Sequence, residues 1–215
     1  MRHVIVGLGL IAGLLCGARA KASPDGDEDA LWPLPRVSAS VGLHVGSARL
    51  ATDATAIGGV VGGQANLLVH FPRFTLGVIA GVGTESIFGV WDAFVGLQAG
   101  PAWNVGRWRL QLLGEAGAHR IGGIGHNLFI GTTPSDVGAL LPALGLGFSA
   151  LWRHPMFWSF DWFLMPSLLS RFDLRRKTVQ FTTADCLLTC TPRTSTQATL
   201  GGGEVELSLN VGVLF

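Results

Sequence analysis

Tyrosine is absent from this sequence, and charge is sparse: 15 basic and 14 acidic side chains among 215 residues leave a formal net charge of +1. So weak and balanced a field excludes the partners that one sign of charge selects, nucleic acid and acidic substrates. Long hydrophobic runs are missing as well. The best candidate, 137–152, contains Pro142, is interrupted by Ser149, and falls short of the ~20 apolar residues a membrane-crossing helix needs. A multi-pass helical protein is therefore disfavoured. Cysteine is limited to Cys16, Cys186 and Cys190, and no histidine or acidic partner stands near the last two at metal-ligand spacing. The glycine clusters Gly122-Gly123-Ile124-Gly125 and Gly201-Gly202-Gly203 lack the strand-turn-helix setting of a phosphate cradle and read as loop joints. No catalytic residue, metal site or cofactor is expected.

What the sequence has instead is glycine, 31 residues or about twice the usual share, and alternation. In the final stretch, 204–215, apolar Val205, Leu207, Leu209, Val211, Val213 and Phe215 occupy every second position. Glu204, Glu206, Ser208, Asn210 and Gly212 lie between them. Residues two apart share one face of a strand, so this strand has one apolar and one polar face. An apolar face this long and uniform suits lipid on one side and a polar lumen on the other.

Seven further segments alternate in the same way: about 37–47, 57–69, 74–83, 90–103, 108–119, 138–152 and 157–172. Their connections alternate in length. Tight turns fall at His70-Phe71-Pro72-Arg73, Asn104-Val105-Gly106-Arg107 and Arg153-His154-Pro155-Met156. Longer connections cover 48–55, 84–89, 120–137 and 173–199. Short turns at one end and long loops at the other mark an outer-membrane barrel. Aromatic side chains gather at the tight-turn level: Phe71, Phe74, Trp103, Trp108, Trp152, Trp158 and Phe215. Rings at one level form a girdle at a membrane interface, here built without tyrosine. Pro101, Pro142 and Pro166 lie inside strands and predict bulges or strand ends. A soluble lipocalin-like barrel would turn the apolar face inward and leave the aromatic ring unexplained.

The ends carry their own signals. Met1-Arg2-His3, the apolar run 4–15 and the overlapping A-x-A sites at 18–20 and 20–22 have the layout of a secretory signal peptide, taken as 1–20. Residue 15 is leucine, which argues against a lipoprotein cysteine at Cys16. Residues 21–35, acidic and proline-bearing, are expected to form a flexible periplasmic leader, and 36–215 the barrel. Export to an oxidising compartment predicts a disulfide between Cys186 and Cys190.

With these features the mature chain resembles the small OmpA/OmpX/OmpW-like bacterial outer-membrane barrels, on architecture rather than on a residue signature. The resemblance implies an all-β, eight-stranded antiparallel up-and-down transmembrane barrel in the bacterial outer membrane. It also implies contact with outer-membrane lipid and lipopolysaccharide, and insertion by the barrel-assembly machinery with terminal Phe215 as part of the signal. The alternation turns His44, Gln64, Asp92, Arg109, Glu115, His119, Asp161, Arg171, Glu204 and Glu206 inward. His44, Glu115 and Glu206 are expected near mid-barrel, with Arg109 and Asp161 nearer the tight turns. Eight strands enclose an interior about filled by their own side chains. The expected lumenal polar network is His44, Gln64, Arg109, Glu115, Asp161, Glu204 and Glu206, because isolated buried charges are costly. The functional expectation is a structural or surface-interaction barrel, not an enzyme. Two alternatives are a narrow channel for small hydrophobic molecules and a lipid A-modifying enzyme. Lipid A deacylases carry a His-x-Ser pair, and no histidine here is followed two positions later by serine. An Asp, His and Ser assembled from separate strands is the remaining catalytic option. Arg175-Arg176-Lys177 follows the seventh strand at the outer rim, where it reads as a solvated loop or as a contact for lipopolysaccharide phosphates.

Overall fold

The computed structural model describes residues 36–48, 51–52, 58–85, 90–122, 138–154, 160–186 and 190–215. The expected signal peptide, leader and Trp158, together with Pro155 and Met156 of the third tight turn, lie outside them. In chain order the strands are β1 (Arg36–Ala48), β2 (Ala51–Thr52), β3 (Gly58–Phe71), β4 (Phe74–Glu85), β5 (Val90–Val105) and β6 (Trp108–Gly122). They continue with β7 (Ala139–His154), β8 (Asp161–Asp173), β9 (Lys177–Cys186), β10 (Cys190–Leu200) and β11 (Gly203–Leu214). Eight of them close an antiparallel barrel in the order β1-β11-β8-β7-β6-β5-β4-β3, and β2-β10-β9 form a separate small sheet. Closure is made by the terminal strand: Val41 pairs with Val211 and Leu43 with Leu209, while β1 pairs with β3 on its other edge.

The alternation read from the sequence sets which face is which. Val41, Leu43, Leu67, Val95, Leu97, Leu140, Leu207 and Leu209 are exposed on the outside. Asn66, Gln98, Arg109, Glu115, Arg171 and Asn210 are buried inside. A soluble monomer rarely exposes a contiguous apolar patch beyond a few hundred Å², and this one encircles the molecule. The backbone has no open edge in the barrel, the condition for crossing hydrocarbon with strands. A barrel with this exterior is built for the bacterial outer membrane. Among the described residues no helix is long and apolar enough to cross a membrane.

Two expectations are corrected. The stretch 173–199, expected as a loop, is mostly the β9–β10 hairpin, in which Cys186 stands opposite Cys190. Thr178 and Thr199 also pair across it, with hydroxyls 3.4 Å apart. The strand prolines are not bulges. Register is unbroken on either side of Pro101, with Ala99 opposite Gly114 and Ala102 opposite Gln111. The same holds around Pro166, with Ser149 opposite Ser167 and Trp152 opposite Leu164. Each proline sits where the ladder to one neighbour lapses while the other neighbour keeps pairing, Pro101 with Phe74 and Pro166 with Leu209. Pro142 lies just beyond the end of the β7–β8 ladder at Ala143 and Asp173.

Candidate functional site

The lumen is layered from the tight-turn end outward. At that rim Asp161 is held between Arg36 and Arg153, at 2.5 and 2.6 Å. Above it Leu151, Phe163, Met165 and Leu214 form an apolar plug. Beside the plug, fully buried Arg109 donates from Nη2 to the carbonyls of Phe71 and Phe74, at 2.6 and 3.0 Å, and from Nη1 to Asn104 Oδ1 at 2.8 Å. It thereby ties the β3–β4 turn to β5 and β6. His70 Nε2 lies 2.8 Å from Ser38 Oγ, but its other ring nitrogen faces Thr75 and Gln111, not a carboxylate. Ser38 and His70 are closed off from solvent, which suits a structural contact rather than a nucleophile and its base.

An amide layer follows. Gln64 donates to Asn210 Oδ1 at 3.0 Å and to Ser208 Oγ at 3.2 Å. Asn66 donates to the same Asn210 oxygen at 3.2 Å, and Asn210 donates to the Met165 carbonyl at 3.2 Å. The cavity beside this layer measures about 30 Å³, room for ordered water and not for a larger solute.

Arg171, on β8, is the centre of the next layer. Its guanidinium donates to Glu204 Oε2 at 3.1 Å and to Glu115 Oε2 at 3.4 Å, and stands 3.7 Å from Glu206 Oε1. The ring of Phe94 lies under the guanidinium at 3.8 Å, a cation–π contact in a site closed to water. Gln98 donates to Glu115 from the opposite side, and His44 Nε2 is 3.6 Å from Glu206 Oε1. Further out, His119 lies between Asp173, 2.8 Å from Nδ1, and Asp92, 3.4 Å from Nε2. Over this cluster the outer mouth is stoppered by apolar side chains. Val179 of β9 and Leu200 of β10 pack with Val60, Val90, Ile121, Ala139 and Leu141. Outside the barrel, a trough of about 530 Å³ lies over Ala39, Ala65 and Ala80, flanked by Val41, Leu67 and Val78. It opens on the outer face, and its lining shares Asn66 and Ile79 with that of the lumenal cavity.

No protein-family model matches the sequence, and no curated protein matches it. Among solved structures, Neisserial surface protein A (NspA) is similar with a TM-score of 0.54 at 10% identity, over 82% of this chain and 96% of that one. The attachment invasion locus protein Ail of Yersinia pestis, solved with the heparin analogue sucrose octasulfate, gives 0.46 at 13% identity, over 85% and 100%. The translocator domain of the autotransporter NalP from Neisseria meningitidis gives 0.35 at 16% identity, over 97% of each chain. The fold is that of the small outer-membrane barrels.

In this barrel the seven residues expected in the lumenal network all face inward, yet they fall into separate layers. His44, Glu115, Glu204 and Glu206 meet around Arg171, Gln64 belongs to the amide layer, and Arg109 and Asp161 hold the tight-turn end. Sequence reasoning missed Arg171 as the common partner. It also missed the meeting of Asp92, His119 and Asp173 and the apolar stopper. Inward position was readable from the period of two, whereas height depends on strand stagger, which the period leaves open. Of the expected interface aromatics, Phe71, Phe74, Trp103, Trp108 and Phe215 are exposed on the outer face. Trp152 is half-buried against Trp108 at 6.4 Å and edge-on to Trp162 at 5.6 Å. Trp162 is an addition to the expected set. At the opposite rim Arg120 stacks on Trp91 at 5.5 Å.

Proposed function

We propose that this protein is a structural or surface-interaction barrel of the outer membrane, in which a sealed cylinder serves as the mount for the β9–β10 hairpin. The observation that carries this reading is the filled lumen. Apolar plugs lie at both ends, ion pairs lie between them, and the cavity between the layers is only about 30 Å³. A conduit needs a continuous path, and each layer interrupts one. The β9–β10 hairpin, anchored at its base where Val179 and Leu200 pack into the barrel mouth, supports a role at the outer surface. The exposed Arg175, Arg176 and Lys177 at that base favour lipopolysaccharide phosphates as one partner. Register opposition of Cys186 and Cys190 favours a disulfide at the hairpin tip, and Phe215 remains the proposed assembly signal.

The test is planar-bilayer recording with the purified barrel, in parallel with the same protein lacking 181–196. Both are expected to stay electrically silent. Steady single-channel conductance from the intact protein would overturn the sealed-mount reading. Binding of lipopolysaccharide is expected to weaken when Arg175, Arg176 and Lys177 are changed together to Gln, and to weaken equally when the lipid is dephosphorylated. Matching lipid A mass spectra from cells with and without the protein are expected, because Ser38 and His70 have no carboxylate partner and no access to substrate.

A further inference from the structure

We infer that the outer lumen holds a divalent transition-metal site of the zinc type, formed by His119 Nε2 with the carboxylates of Asp92 and Glu204. One ligand atom from each of these residues lies within 4.8 Å of the others. The three residues are 2–3% exposed. Each keeps a buried atom without a hydrogen-bond partner among the described residues: Asp92 Oδ1, His119 Nε2 and Glu204 Oε1. His44, Arg109, Arg171 and Glu206 also keep unpartnered atoms, but among the described residues this is the one place where an imidazole and two carboxylates gather at ligand spacing, and together they call for a common partner.

The surroundings pre-set these atoms for a cation. His119 uses Nδ1 on Asp173 Oδ1 at 2.8 Å, and Asp173 Oδ2 accepts from the Gly202 amide at 2.9 Å. A histidine donating Nδ1–H to a carboxylate presents a bare Nε2, the arrangement that orients metal-bound imidazoles. Arg171 holds Glu204 by Oε2 and leaves Oε1 turned elsewhere. A Cβ at Gly83 would overlap Asp92 Oδ1, so glycine there leaves space for that carboxylate. The separation of His119 Nε2 from Asp92 Oδ2, 3.4 Å, equals the ligand–ligand edge of a tetrahedron with metal–ligand bonds of about 2.1 Å.

Charge points the same way. Asp92, Glu115, Asp173, Glu204 and Glu206 face one guanidinium, Arg171, and two imidazoles, His44 and His119. With His119 neutral, as a bare Nε2 requires, the five carboxylates outnumber the cationic groups that face them, and a divalent ion offsets the excess. Water is a poor substitute, because the adjoining pocket between His119, Asp173, Gly202 and Glu204 has no room for one. The ligands come from β5, β6 and β11, so the ion would brace opposite walls beneath the outer stopper.

The experiment uses the full mature chain, untagged, refolded in detergent and stripped with chelator, then titrated with Zn²⁺ by calorimetry and by competition with a chromophoric chelator. One Zn²⁺ per barrel is expected. Asp92→Asn, His119→Gln and Glu204→Gln should each lose roughly tenfold or more in affinity, while His154→Gln, outside the lumen, should keep it. Heat-dependent gel mobility selects the variants that fold. X-ray absorption of the zinc-loaded wild-type protein supplies a readout that needs no variant, with a nitrogen/oxygen shell including imidazole expected. Sulfur ligands, which would place the metal on Cys186 and Cys190, overturn the assignment. So do a wild-type barrel that takes up no zinc and folded ligand variants that bind as the wild type does.

Discussion

Replacing Arg171 by Met tests whether the lumenal cluster is a stabilising unit. At 3.1–3.7 Å and an effective dielectric of ~20, each carboxylate attracts the guanidinium by about 4–5 kcal/mol before desolvation. Removing four ions from water offsets most of that sum, so the intact cluster is close to neutral in net stability. Deleting only the cation is different. The carboxylates of Glu115, Glu204 and Glu206 stay buried with their main partner gone, and breaking a buried pair from one side costs about 3–5 kcal/mol. Met keeps an apolar contact for the Phe94 ring, so the loss reports charge and not a void. The assay is urea unfolding of the barrel in phospholipid vesicles, followed by tryptophan fluorescence, with gel mobility giving the folded fraction. Adding Glu204→Gln to Arg171→Met should restore part of the loss, because contacting sites couple by about 0.5–3 kcal/mol. If Arg171→Met unfolds within about 0.5 kcal/mol of wild type, the range of an inconsequential surface change, the cluster reasoning is refuted.

Leu43 is 74% exposed at the middle of β1, and Leu43→Arg should cost about 2–4 kcal/mol in vesicles, as charge on the lipid face at mid-bilayer does. A cost near zero would mean that this face meets water. Gly201 has φ of +101°, and a Cβ there would lie 2.8 Å from both the Arg175 carbonyl and Leu141 Cδ1. Gly201→Ala should therefore lose about 1–3 kcal/mol. Gly59→Ala, with nothing within 4 Å of its added carbon, should change the unfolding free energy by less than about 0.5 kcal/mol. Phe215→Ala should refold normally in detergent, since Phe215 is held to Val37 by backbone bonds, yet reach the outer membrane of cells in reduced amount. Equal amounts by fractionation and immunoblot would remove Phe215 from the assembly signal.

Strand positions and facing were legible because lipid and lumen impose opposite demands on adjacent residues. Val205, Leu207 and Leu209 against Glu204, Glu206 and Ser208 state that demand without reference to any neighbour. The β9–β10 hairpin was not legible for the converse reason. Outside the membrane neither face must be uniformly apolar, and the run Thr191-Pro192-Arg193-Thr194-Ser195-Thr196 is polar but for Pro192, with a register shift between Pro192 and Ser195. Layering within the lumen was half legible. His44, Glu115 and Glu206 were expected at one height and do share a layer around Arg171. Asp92 and His119 lie near strand ends, where the stagger between β5, β6 and β11 decides which side chains meet across the lumen.

Stagger also explains the glycine. Eight strands enclose little more than one layer of side chains, and the layers around Arg171 and His119 alone hold an arginine, a phenylalanine ring, two imidazoles and five carboxylates. Such groups fit only where the facing wall gives up its own side chain. Cβ atoms at Gly96 and Gly117 would come within 2.6 and 2.8 Å of the Phe94 ring that underlies Arg171. One at Gly62 would overlap the His44 imidazole, and one at Gly145 would approach Glu115 Oε2 to 3.2 Å. The glycines therefore do not hollow the barrel. They make way for large polar side chains that close it, and a small residue added at Gly117 should displace Phe94 and with it the cation–π support of Arg171. Position by position, these glycines are the complement of the bulky groups that pack against them in the lumen.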